Sequence, residues 1–210
     1  MKNATKHADD LRVMFKKLLR DHEEQPKPTY EPLKALVRAA MSYDVSDTRA
    51  EEAMKAIDKE FVDLNELRVA TELEVQELLG TRYPAIEERV GLITQALNAI
   101  FEKEHTLSLD RLKTISKRDA RQFLKDLAAM NPFVEAYVML FAFDAPAVPV
   151  DETMVAYLVR EEIVDENMPA EEVQKFLEHH VKAEDHYNLY AVLRRAAANM
   201  GEKKKVKSRA

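Results

Sequence analysis

The 210-residue chain has no cysteine, which excludes disulfides, zinc-thiolate sites, thiolate-bound iron–sulfur clusters and cysteine nucleophiles. Tryptophan is also absent. With Gly 3 and Pro 8, few positions offer the sharp backbone geometry that strand-rich folds and phosphate-cradling loops use repeatedly, and helices are favoured. No apolar run approaches the roughly 18–20 residues that span a bilayer, and MKNATKHADD opens without the apolar stretch of a signal peptide. The expectation is a cytoplasmic protein with no membrane partner.

What the chain does contain suits a globular protein: 46% hydrophobic residues, 33% charged residues and a formal net charge of −6. That acidity argues against nonspecific coating of nucleic acid, although a local basic groove can sit inside an acidic total. The last ten residues, GEKKKVKSRA, carry five cations against Glu202, a local +4 that leaves −10 on residues 1–200. Such a tail either touches phosphate or keeps the end solvated. The chain divides into residues 1–29, a helix and a Pro-rich linker; 30–200, a helical region of two packed lobes; and the basic tail 201–210.

Hydrophobic periodicity gives the helices. Leu11, Phe15, Leu18 and Leu19 share one side of the first, and QPKPTYEP then interrupts it, with Pro32 suited to the first turn of the next. Leu33, Leu36, Val37, Ala40 and Met41 form a core stripe. Ser46 or Asp47 is positioned to cap a helix bearing Ala50, Met54, Ile57 and Phe61. Short helices fit Leu64–Val69 and Glu72–Leu79, with Gly80 as a stop, before a longer pattern from Ile86 to Phe101. Another short helix begins near Leu109, Ser116 caps the segment 118–128, and AMNPF breaks the chain ahead of an apolar helix containing Val134, Val138 and Phe141. Three final helices run over about 151–163, 170–179 and 186–198. No strand pair and no internal repeat emerges, so the fold class expected is all-α.

Three segments in order carry a resemblance. MSYDVSD places Met41, Ser42 and Asp47 in the pattern leucine or methionine, serine, x, glutamine, x, x, aspartate. TRYPAIEERV keeps Tyr83 at an aromatic position, and LAAMNPFVEAYVMLFAFD keeps an apolar frame at Leu127, Val138, Ala142 and Phe143. VPVDET then supplies Val150 and Asp151. Over roughly residues 30–195 this combination resembles the helix-hairpin-helix DNA glycosylases related to endonuclease III. The resemblance implies a two-lobed helical fold, damaged or distorted double-stranded DNA as a partner, and base excision in DNA repair.

The departures are chemical. Asp44 stands where the family has glutamine, Thr81 where it has glycine and Ile86 where it has lysine. The hairpin pattern leucine, proline, glycine, valine, glycine reads Leu127, Ala128, Ala129, Met130 and Asn131, with Asn131 better suited than Ala129 to a left-handed turn. Phe133 occupies the position of the Schiff-base lysine and offers no amine, so lyase chemistry does not carry over. Glu152, Thr153 and Ala156 replace the family's threonine, histidine and arginine beside the aspartate.

The resemblance thus implies Asp151 as the catalytic residue of a monofunctional glycosylase, stabilising positive charge at the sugar or activating water. Equally, a short acceptor just before a helix is an N-cap. Candidate DNA contacts are Tyr43, Asp44, Tyr83, Met130, Asn131 and Phe133; its three aromatics serve equally as core. A catalytically inactive scaffold and a protein-interaction module using the final helices are the alternatives. No cofactor is implied. His179, His180 and His186 with nearby carboxylates specify no closed metal ligand set, because adjacent histidines diverge on a helix.

Overall fold

A computed structural model describes the backbone of residues 4–23 and 25–207 and the side chains of 5–23 and 25–200. The basic-tail charges at 203–209 therefore lie outside the described side chains. Eleven α-helices and two short 3₁₀ turns make up the regular structure among the described residues. They fall into two compact units, residues 29–145 and a discontinuous unit of 1–28 with 146–210.

The continuous unit is built around α2 (Pro32–Ser42), which packs against α3 (Asp47–Glu60), α6 (Ile86–Glu104) and α8 (Pro132–Ala142). Ala35, Ala39 and Ala40 let neighbours approach closely, while Leu36, Val37 and Met41 fill the space between them, so the helix is buried on nearly every side. Pro32 sits in its first turn as expected. In α8 every residue from Phe133 to Phe141 is buried, including Glu135, whose carboxylate pairs with Arg121 at 2.6 Å.

Two short helices cover α6, and caps fix them. Asp63 accepts from the amides of Asn65 and Glu66 at the start of α4 (Leu64–Val69). Thr71 and Glu74 form a reciprocal capping box on α5 (Glu72–Leu79), which Gly80 ends at φ 81°. Ser46 holds the N-cap position of α3 but its side chain makes no capping bond. The helix expected near Leu109 is a 3₁₀ turn, Asp110–Thr114, and Ser116 caps α7 (Lys117–Lys125), which stops three residues before the expected end.

In the discontinuous unit α1 (Ala4–Asp21) packs against α11 (His186–Lys207), and α11 packs against α9 (Glu152–Arg160), which also meets α10 (Ala170–His180). The buried face of α1 is Ala8, Leu11, Met14, Phe15 and Leu18, and Leu19 is exposed. Positions 11, 14, 15 and 18 follow the 3.6-residue period more closely than a stripe that includes 19, and Met14 therefore takes the inner place. Likewise Phe101 is partly exposed at the end of α6, with the Arg68 guanidinium 4.3 Å above its ring.

Scarce glycine does not mean scarce left-handed backbone. Asp44, Ala85, His105, Ala129, Asp144 and Glu162 all have positive φ, alongside Gly80. Aspartate tolerates this conformation, but for alanine it costs about 1–2 kcal/mol and packing must impose it. Ala129→Gly, at φ 59°, is expected to raise stability by about 0.5–1 kcal/mol once the greater freedom of glycine in the unfolded chain is counted. The check is a urea titration, in which the midpoint should rise with unchanged slope.

Candidate nucleic-acid interface

The α7–α8 hairpin is built by local bonds. Leu127 turns inward and is buried, its amide donating to the Leu124 carbonyl at 3.2 Å, and the Met130 amide returns to the Leu127 carbonyl at 3.4 Å. Between them Ala129 takes the left-handed conformation, at the position the family resemblance gives to the first hairpin glycine. Asn131 instead is extended (φ −107°, ψ 160°), contrary to the sequence expectation. Its Oδ1 accepts from the Val134 amide at 2.8 Å, an N-cap geometry that a left-handed residue could not supply.

Charge is unevenly distributed along this unit. Residues 111–125 carry six cations against Asp119, whereas residues 42–88 carry thirteen carboxylates against five cations. Within the basic stretch, Arg111 pairs with Glu104, Lys113 with Asp110, Arg121 with Glu135, and Lys117 donates to the Phe143 carbonyl. Arg118 and Lys125 are left to solvent, with exposed Gln122 between them. The spacing 118, 122, 125 places all three on one face of α7, running to the hairpin turn.

A cavity of about 270 Å³ opens beside the hairpin. Tyr43, Asp44 and Asn131 line it together with Ala85, Glu88 and Leu92, so three of the candidate DNA contacts come together here. Tyr83 lies buried, its hydroxyl donating to the Met41 carbonyl at 2.8 Å and its ring flanked by the Arg49 and Arg89 guanidiniums. Phe133 is 1% exposed and sits against Tyr43 at 5.3 Å and Tyr137 at 6.0 Å. Both rings are core supports here, so neither Phe133 nor Tyr83 is presented as a DNA wedge. Met130 is half-buried in the turn and does not line the cavity.

The residue that organises this region, Arg89, carries no sequence signal. It is 6% exposed and donates to three carbonyls: Pro84 at 2.7 Å, Ala40 and Tyr43. Burial pulls its pKa below the ordinary guanidinium value, opposed by Tyr83, Asp44, Glu88 and Tyr43. The last carbonyls of a helix have no partner within it, and Arg89 satisfies those of α2 from α6.

Asp151 belongs to the discontinuous unit and is 2% exposed. One oxygen caps α9, accepting from the Met154 amide at 2.9 Å; the other accepts from Arg194 Nη1 at 3.1 Å. Arg194, on α11, is itself nearly buried and stands 6.0 Å from the Tyr190 ring. Its role was invisible in the sequence because 43 residues separate the pair. The His179 and His180 rings touch edge-on at 4.7 Å rather than diverging, and burial, then His179, then Arg12, holds His180 below the usual imidazole pKa. Among the described residues no three metal-ligating side chains converge.

The helices form the all-α, two-lobed fold of the helix-hairpin-helix DNA glycosylases. Solved structures share it. Clostridium acetobutylicum 8-oxoguanine glycosylase/lyase, in complex with double-stranded DNA containing cytosine opposite 8-oxoguanine, matches with a TM-score of 0.71 at 16% identity, over 94% of this chain and 71% of that one. An endonuclease III–DNA covalent intermediate matches with a TM-score of 0.67 at 16% identity, over 92% and 85%. The H. pylori 3-methyladenine DNA glycosylase bound to 1,N6-ethenoadenine matches with a TM-score of 0.61 at 15% identity, over 97% and 98%. No known family profile matches the chain, and no curated protein sequence does.

Removing one partner of a buried ion pair strands the other charge, at a cost of about 3–5 kcal/mol. Arg194→Met is therefore expected to lower unfolding stability by that amount. An Asp151→Asn/Arg194→Met double variant should recover part of the loss, a coupling read from urea titrations of the double variant and of both single variants.

Proposed function

We propose that this protein binds damaged or distorted double-stranded DNA through the α7–α8 hairpin, without Schiff-base chemistry. The observation that carries the proposal is Ala129. Its left-handed backbone keeps the turn geometry that glycine normally supplies, at a position where amides approach a phosphate. The exposed face of Arg118, Gln122 and Lys125 leads into that turn and supplies cations to neutralise the adjoining backbone. The DNA-bound glycosylases that share the fold support the same reading.

Base excision is the second reading, and Asp151 would carry it. Its carboxylate is fixed at the N-terminus of α9, the kind of rigid placement a charge-stabilising residue requires. Both oxygens, however, already serve Met154 and Arg194. Stabilising a sugar cation would require Oδ2 to leave Arg194, and for this reason binding ranks ahead of excision. Phe133 supplies neither a nucleophile nor a proton, so any excision would stop at base release and leave the abasic strand intact.

Arg118→Ala and Lys125→Ala are each expected to weaken binding to all duplexes alike and to reduce the slope of log affinity against log salt by about 1. Fluorescence anisotropy at several salt concentrations measures this, and an unchanged slope in the double variant would remove the hairpin from the interface. Base release from a panel of lesion-containing duplexes, compared with Asp151→Asn, decides the second reading. Release that depends on Asp151 establishes a monofunctional glycosylase, and its absence across the panel leaves a binding protein.

A further inference from the structure

Helix α1 presents a second basic surface, on the unit to which the hairpin does not belong. Residues 11–20 carry four cations, Arg12, Lys16, Lys17 and Arg20, and no carboxylate, in a chain of net charge −6. Arg12 is used locally, pairing with Asp9 at 2.9 Å. Lys16, Lys17 and Arg20 are exposed, and among the described residues their side chains make no hydrogen bond or ion pair. The 3.6-residue period puts Lys16 and Arg20 opposite the buried Leu11 and Leu18, with Lys17 on the flank beside Val13, which is 69% exposed. The helix dipole accounts for Arg20, a cation in the last turn, but not for the two lysines ahead of it.

The partner follows from what this face has and lacks. A helix lying in a membrane interface needs its apolar side free, and here Leu11, Met14, Phe15 and Leu18 are buried within the protein. A protein interface is built on aromatic and apolar anchors and is poor in lysine, whereas this face offers only Val13 and, at its margin, Leu19 beside the cations. Charge density fits a different partner. Lys16 to Arg20 spans about 6 Å of helix axis. Three cations in that length approach the spacing of one phosphate per about 3.4 Å along a strand of duplex DNA. We infer that α1 is a second phosphate-binding face, on which Lys16, Lys17 and Arg20 neutralise the backbone of duplex DNA. The inference rests on the reading of the protein as a DNA binder and adds to it a contact outside the hairpin. Lysine-rich contacts of this kind hold the backbone without reading bases, so the contribution is the same for damaged and intact duplexes.

The test uses the full-length protein and fluorescence anisotropy of a labelled duplex at several salt concentrations. A Lys16→Gln/Lys17→Gln/Arg20→Gln variant keeps the helix propensity of α1 and should keep the circular dichroism spectrum. Its slope of log affinity against log salt is expected to fall by about 2–3, with at least tenfold weaker binding at low salt. A Lys59→Gln/Lys175→Gln/Lys182→Gln variant loses the same charge elsewhere on the surface and should keep the slope. Lys16→Arg/Lys17→Arg should keep it as well. An unchanged slope in the α1 variant overturns the inference, as does an equal fall in the charge-matched variant, which would reduce the effect to net charge. Loss of binding to phosphatidylglycerol vesicles with the duplex slope intact overturns it too, and makes the face a lipid-headgroup site. If Arg118→Ala/Lys125→Ala lowers the slope and the α1 variant does not, this inference fails alone; the reverse result removes the hairpin and leaves α1.

Discussion

One buried guanidinium holds the continuous unit in its functional shape. Arg89 reaches from the first turn of α6 to the carbonyls of Ala40 and Tyr43 at the end of α2 and to Pro84 in the loop between α5 and α6. The buried Ala40 oxygen would otherwise be unsatisfied in the interior, at a cost of about 1–3 kcal/mol, while the bonds to Tyr43 and Pro84 are part-buried. The same bonds hold Tyr43 and Asp44 at the α2–α3 corner and Ala85 at the head of α6, all of which line the cavity. Tyr83 completes the corner from beneath by binding the Met41 carbonyl. A neutral side chain at position 89 would leave a helix end, a turn and a cavity wall without their common anchor.

The discontinuous unit depends on a second buried cation in a comparable way. Arg194 meets Asp151, and Asp151 in turn caps α9, so the start of one helix is fixed by the middle of another. Both buried arginines are therefore matched by acceptors. In the continuous unit the nearest analogue is Glu135 with Arg121, which ties α7 to α8 and so sets the hairpin. The charges left facing solvent differ: Arg118 and Lys125 lie on α7 beside the turn, while the carboxylates crowd α3 to α5.

Much of the helix pattern is legible in the residues because its signals are local. Asp63, Thr71, Glu74 and Gly80 mark the bounds of α4 and α5 within a few positions of chain. Asp151 announces its cap in the same way. The two arginines that order the interior could not be found so, because their partners lie 46 and 43 residues away. The hairpin is the instructive case. Asn131 has the greater intrinsic ease in a left-handed turn, but the demand for an acceptor at Val134 claims it as a cap, and packing around Leu127 places the turn at Ala129. Leu19 and Met14 show the same competition on α1, where helical phase overrides the larger hydrophobicity of leucine.

The discontinuous unit carries a consequence for biosynthesis. Its helix α1, with Leu11, Phe15 and Leu18 buried, leaves the ribosome long before α11, the helix against which it packs. Residues 29–145 form one uninterrupted stretch and can close as they emerge, domain fashion. At about 5–20 residues per second, α1 therefore waits roughly ten seconds or longer with its apolar face uncovered. An isolated amphipathic helix of this length is marginal in water, so α1 gains a fixed partner only when α11 emerges.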